Sequence, residues 1–182
     1  MKSAVKKSRM SLLGQMILLI TVLLFSSIFL VSTQFASMIR EMTETFLGQQ
    51  AMAVAKLAAE NEAIIAGFED DNPPAKIQPV AEHIREITGA SYVVIGNREG
   101  IRYSHYDAEN IGKPMGTSND AVFQNQESVI YMGSGISGPA VKAKTPIYNA
   151  DGELIGVSSV GYTIDVIAAR VEDYTSRLMQ IA

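Results

Sequence analysis

Residues 140–162 read AVKAKTPIYNADGELIGVSSVGY, and this stretch decides the fold. Two β-rich runs, Ala140–Tyr148 and Glu153–Tyr162, flank Asn149–Gly152 (NADG). Asparagine, aspartate and glycine in that order suit a tight turn, so the two runs predict antiparallel neighbours. Working backwards, Ser128–Met132 (SVIYM) predicts another strand. Ser91–Gly96 (SYVVIG) and Ile101–His105 (IRYSH) flank Asn97–Gly100 (NREG), which reads as a hairpin. Between these groups lies Asp107–Asn119, a loop broken by glycine and proline, and Asp120–Asn125 then has room for one helical turn.

Upstream the pattern turns helical. Phe35–Phe68 is rich in alanine, methionine, leucine, glutamate and glutamine and has no proline. Met38, Met42, Phe46, Met52, Leu57, Ile64 and Phe68 recur at roughly helical spacing, which predicts one long stalk helix whose apolar stripe packs on a core or on a second subunit. Gly67 and Glu69–Pro74 (EDDNPP) end it. Ile77–Thr88 predicts a second helix with Ile77, Val80, Ile84 and Ile87 on one face, Pro79 in its first turn and Gly89 as the stop. His83 on this helix reads as surface. From Thr163, as N-cap, a final helix is predicted, with Val166, Ile167, Val171, Tyr174, Leu178 and Ile181 on its apolar side. Helix, helix, two strands, loop and three antiparallel strands is the order of a PAS-like α+β domain, a five-stranded antiparallel sheet flanked by helices.

Leu12–Val31 (LLGQMILLITVLLFSSIFLV) carries no formal charge over 20 residues. That makes about 30 Å of helix, the thickness of a bilayer's hydrocarbon core. A cleavable signal peptide would have a shorter apolar region and a small-x-small site, and Ser32–Ala36 offers only a weak one. Lys2, Lys6, Lys7 and Arg9 precede the span and predict a cytoplasmic N-terminus. The expected layout is 1–11 cytoplasmic, 12–31 transmembrane and 32–165 an extracytoplasmic sensor domain with its stalk helix over 35–68. Residues 166–182 are expected to lead towards a second span in the cell's inner membrane.

The whole chain has 15 basic and 19 acidic residues, and with four of the basic ones before the span, residues 32–182 carry a net −8. That sign excludes nucleic acid as a partner. There are no cysteines, hence no disulfide scaffold and no thiolate site. His83 and His105 have no ligand-spaced partners, so no metal is expected. No Walker loop, HExxH motif or nucleophile–base–acid set is present, so neither catalysis nor a cofactor is expected of this chain.

Cations do gather. Arg102 and His105 sit on the second predicted strand, and Lys142 and Lys144, two apart, leave the same face of the fourth. Hydration would allow such a pair on a solvent-facing strand; a strand facing a cavity would need an anion between them. The loop Gly133–Pro139 (GSGISGP) leads into that strand, and its backbone N–H groups, at Ser137 and Gly138 among others, favour the second reading. Hydroxyls of Thr145, Ser158 and Ser159 adjoin.

Arg102-x-x-His105, Ile111–Lys113, Gly138–Ile147 and Ile155–Tyr162, in this order and spacing, resemble the periplasmic domain of the citrate and C4-dicarboxylate sensor histidine kinases. The resemblance implies that Arg102, His105, Lys142, Lys144 and Ser159 hold ligand carboxylates and that the domain works as a homodimer. Two positions depart from the family: Lys142 stands where arginine is usual, losing a planar fork for carboxylate, and Ile136-Ser137-Gly138 replaces Ser-Leu-Gly. The expected function is the membrane-bound sensing module of a two-component kinase, binding citrate, malate, fumarate or succinate. A chemoreceptor sensor and a membrane-tethered structural module are the alternatives.

Overall fold

The computed structural model describes residues 11–135 and 138–163, with the backbone alone at residues 36, 134, 135, 138 and 139. Contacts divide the chain into two compact units at Thr43 and Glu44. Helix α1, Leu12–Ala59, begins in the first. Its N-terminal part is long and apolar enough to cross a membrane, and none of that window is buried.

The second unit is α+β: the rest of α1, then α2 (Glu62–Gly67), α3 (Pro73–Thr88), β1 (Tyr92–Asn97), α4 (Asp120–Phe123), β2 (Val129–Gly135), β3 (Gly138–Tyr148) and β4 (Leu154–Thr163). The strands form one sheet in the order β1-β4-β3-β2, and every neighbouring pair is antiparallel. The turn between β3 and β4 is the one expected. Asn149 Oδ1 accepts from the amides of Asp151 and Glu153, and Gly152 takes φ 80°, a conformation that costs glycine little.

Two expectations are corrected in detail. The long helix does not run to Phe68; it stops at Ala59. Asn61 turns out of the helix and its Oδ1 accepts from the amides of Ala63 and Ile64, capping α2. An asparagine side chain competes with the backbone ladder in this way. The α3 helix starts four residues earlier than Ile77, because Pro73 and Pro74 occupy first-turn positions where the missing N–H groups would lack partners anyway. Pro79 therefore lies inside the helix. Gly89 ends it in the left-handed conformation, as expected.

The sheet has four strands among the described residues, because Ile101–His105 makes only isolated bridges, Gly96 with Arg102 and Ile101 with Pro114. Ser104 explains this. Its Oγ accepts the Ile95 amide at 2.7 Å, and the amides of Tyr103 and Ser104 both converge on the Ile95 carbonyl. A side chain thus takes a place in the ladder that backbone would fill, and pairing stops there. The predicted final helix lies outside the described residues, and Thr163 itself closes β4.

One face of the sheet holds the main core. Val93 and Ile95 of β1, Val160 and Tyr162 of β4, and Val141, Ala143 and Ile147 of β3 point to this side. They pack with Leu47, Ala51, Val54, Ala55 and Ala58 of α1, Ile64 of α2, and Ile77, Ala81 and Ile84 of α3. The small residues of α1 bring helix and sheet close: a Cβ at Gly48 would come 2.6 Å from Ile130 Cγ2. Each fully buried Ile or Val here contributes about 1.5–3 kcal/mol of transfer free energy.

Candidate functional site

Side chains alternate along a strand, so the residues between the core positions face the other way. On that second face lie Tyr92 and Val94 of β1, Ser159 and Gly161 of β4, Ala140, Lys142 and Lys144 of β3, and Tyr131 of β2. The register sets Lys144 beside Ser159, and Lys142 between Gly161 and Tyr131. Gly161 has a packing reason to lack a side chain: a Cβ there would collide with the Tyr92 ring. Tyr92, Val94 and Ala140 form a small apolar patch against which Met115 packs.

Arg102 and His105 reach this region from the irregular segment beside β1. The Lys113 carbonyl accepts the Arg102 amide and the Arg102 carbonyl accepts the Gly112 amide, so the following loop folds back along Arg102. Gln78 of α3 holds His105 by its backbone: the His105 amide donates to Gln78 Oε1, and Gln78 Nε2 donates to the His105 carbonyl, both at 2.9 Å. His105 Nδ1 lies 3.0 Å from the Asp107 amide nitrogen and 3.1 Å from the Asp107 carbonyl oxygen, so it accepts from the one when bare and donates to the other when protonated.

These groups are buried and close enough to act on one another. Arg102, Lys142 and Lys144 keep 6%, 5% and 1% of their exposure. Burial lowers the pKa of Arg102 and of Lys142. Lys144 is lowered to about 8, by burial first and then by the positive charges of Lys142 and Arg102. His105 is lowered by burial, and Arg102 pushes it further in that direction. Among the described residues no acid forms an ion pair with any of the three cations; Lys76–Asp70 and Arg85–Glu82 pair elsewhere. The head groups of Arg102 and Lys142 likewise have no hydrogen-bond partner among the described residues. Buried cations without counter-ions are costly, and an anion placed among them recovers much of that cost.

Not every expected residue joins the set. Thr145 follows Lys144 and so faces the helices, where its Oγ1 lies 2.7 Å from Ser128 Oγ. Strand parity removes it from the cationic face. Ser158, opposite Thr145, has a buried Oγ without a partner among the described residues. Gly138 opens β3 opposite Gly135, and Ser137 lies outside the described residues. His83 is exposed, as expected. Among the described residues no cluster of three or more His, Asp or Glu is arranged to hold a metal.

The residues that sequence reasoning missed are polar groups of the loop and of α3. Lys144 Nζ donates to the Thr117 and Ser118 carbonyls at 3.2 and 2.8 Å, to Thr117 Oγ1 at 2.8 Å and to Asn119 Oδ1 at 2.5 Å. The Tyr131 hydroxyl reaches Thr117 Oγ1 at 3.4 Å. Gln78 gave one signal, a polar residue next to the first core isoleucine of its helix; Thr117 and Asn119 gave none.

Residues 38–175 match the protein family described as Single cache domain 3. The chain is 32% identical to the sensor protein CitS of Halalkalibacterium halodurans over 91% of its own length and 30% of that protein. It is 29% identical to the sensor histidine kinase DcuS of Escherichia coli over 92% of its own length and 31% of that protein. The chain thus spans about a third of the curated relatives it matches. The crystal structure of the E. coli DcuS sensor domain superposes with a TM-score of 0.63 at 28% identity, covering 72% of this chain and 98% of that one.

Proposed function

The chain belongs to the Single cache domain 3 family, and from that premise we propose that it is the extracytoplasmic ligand-sensing part of a membrane-bound sensor histidine kinase, binding a small di- or tricarboxylate. The observation that carries this reading is the cationic face: Arg102, Lys142 and Lys144 are buried together and no acid pairs with them among the described residues. The relatives matched over most of the chain are a sensor protein and a sensor histidine kinase, which supports the same assignment.

In this reading Arg102 offers a planar fork to one carboxylate and Lys142 a point charge to another. Ser159 Oγ and His105 Nε2–H supply further donors. A carboxylate beside His105 favours the charged ring and raises its lowered pKa, so binding takes up a proton near neutral pH. The ligand moves the domain towards its bound conformation only by the difference in its affinity for the two states.

The test is a thermal-shift panel of organic acids on the chain in detergent micelles. A di- or tricarboxylate is expected to raise the melting temperature with concentration, and Arg102→Ala to remove the shift. A flat response to every acid contradicts the reading. The membrane layout is tested separately. The chain has no cysteine, so Asn72→Cys, at an exposed position, gives a single label site. An impermeant thiol reagent is expected to label it in intact cells; labelling only after lysis reverses the orientation.

A further inference from the structure

Ile101–His105 leaves the sheet once Ser104 takes the place of a ladder partner on Ile95, and the segment is then held from several sides. The Arg102 backbone bonds to Gly112 and Lys113. The Tyr103 ring meets that of Phe68, just past α2, at a centroid distance of 5.4 Å. His105 is held by a side chain: Gln78 Oε1 accepts its amide and Gln78 Nε2 donates to its carbonyl, both at 2.9 Å. The two residues are 27 apart in the chain, so nothing local brings them together.

A backbone N–H only donates and a carbonyl only accepts, so serving both from one side chain takes an acceptor and a donor side by side. The glutamine amide has that arrangement and stands in for a rung of an antiparallel ladder. Gln78 is itself fixed in place. Its neighbour Ile77 is fully buried, and Ala81 and Ile84 of the same helix join the same core. The His105 ring is oriented by its own surroundings in the chain, through the Asp107 backbone at Nδ1 and the Tyr106 ring at 4.5 Å. Those contacts set the ring relative to its own backbone and move with it. Among the described residues, the hydrogen bonds that tie His105 to another element are those of Gln78.

Resting on the carboxylate reading above, we propose that Gln78 is a positioning residue for ligand binding: it holds His105 at the cationic face without touching the ligand, and so makes α3 part of the support of the site. The coupling is reciprocal, so a ligand that contacts His105 steadies the Gln78 bonds in return. The simpler role, satisfying two backbone groups for the sake of folding, would cost stability when lost and would not depend on the His105 ring.

The experiment is a double-mutant cycle on the full chain in nanodiscs, with succinate and citrate as probes in titration calorimetry. Gln78→Met keeps the length of the side chain and removes both bonds. It is expected to weaken binding of the acid that the native chain takes by about tenfold, and to change affinity by less than about twofold in a His105→Ala background. Without ligand it is expected to speed exchange of the His105 amide by about tenfold or more while the β3 and β4 amides stay protected. In the native chain, a saturating acid is expected to slow exchange of that amide. If Gln78→Met fails to fold, Gln78→Glu, which keeps the acceptor and loses the donor, takes its place in the cycle. With native binding intact, an equal loss of affinity in both backgrounds, or a loss in neither, overturns the positioning role and leaves the carboxylate reading standing. Binding of neither acid by the native chain overturns the carboxylate reading and the positioning role together.

Discussion

The two faces of this sheet are made from the same strands and obey different rules. On the helix-covered face nearly every inward residue is aliphatic or aromatic, and three helices supply the matching surface. On the other face, one residue away along each strand, sit Lys142, Lys144 and Ser159, with Arg102 and His105 arriving from the side. The first face can hold the domain together because its burial is favourable by itself. The second keeps cations that no acid pairs with among the described residues, and the cost of burying them is tolerated where an external partner relieves it. In the proposed reading stability and recognition are separated by strand parity, and substitutions on the two faces are expected to have different signatures.

The largest effect belongs to the core face. Ile77→Ala, in α3 and fully buried, is expected to lower unfolding free energy by about 2–5 kcal/mol in denaturant titration. Ligand affinity of the folded fraction should be unchanged; a matched loss of affinity would mean that the faces are not independent. Next, Arg102→Ala is expected to cost about 3 kcal/mol of carboxylate affinity, because it strips a charge-assisted pair from a partly dry site. Folding stability should hold or rise, since removing one cation relieves repulsion on Lys144. Equal losses of stability and binding would make Arg102 a structural residue.

A pH experiment sharpens the contrast. Folding lowers the pKa of Lys144 from 10.5 to about 8. Between these values the unfolded chain binds more protons at this residue than the folded one, so its contribution to stability improves as pH rises through that window. The groups acting on it are Arg102 and Lys142, with Tyr131 nearby, its own pKa raised by burial. The native chain minus Lys144→Gln is expected to show this rise in ligand-free unfolding, and a saturating dicarboxylate to reduce it. A difference flat from pH 8 to 10.5 would mean that the loop acceptors fully offset burial. The smallest effect is again on the core face: Ser158→Ala removes a buried hydroxyl that has no partner among the described residues. It is expected to be neutral or stabilising by up to about 1 kcal/mol. Destabilisation would indicate a bound water at Ser158.

Much of this was legible in the sequence because it depends on local rules. The turn at Asn149–Gly152, the cap at Gly89 and the shared face of Lys142 and Lys144 follow from residue type and the two-residue period of a strand. The same period excludes Thr145 from that face, although it adjoins Lys144 in the chain. What stayed hidden involved competition. Asn61 looked like any helix residue until its side chain was seen capping α2, and Ser104 like any strand residue until its hydroxyl was found in the ladder. The partners of Lys144 lie more than twenty residues away in a loop without periodicity, and no pattern in the sequence links them.

The most direct test of the central claim is titration calorimetry of succinate into the chain in nanodiscs at neutral pH, with Arg102→Ala and Lys142→Ala alongside. The account predicts saturable binding at one site per chain, weakened by added salt and by about a hundredfold in each variant, while both variants unfold at or above the native temperature. Heats no larger than dilution in the native chain, or binding left intact by both substitutions, would contradict it.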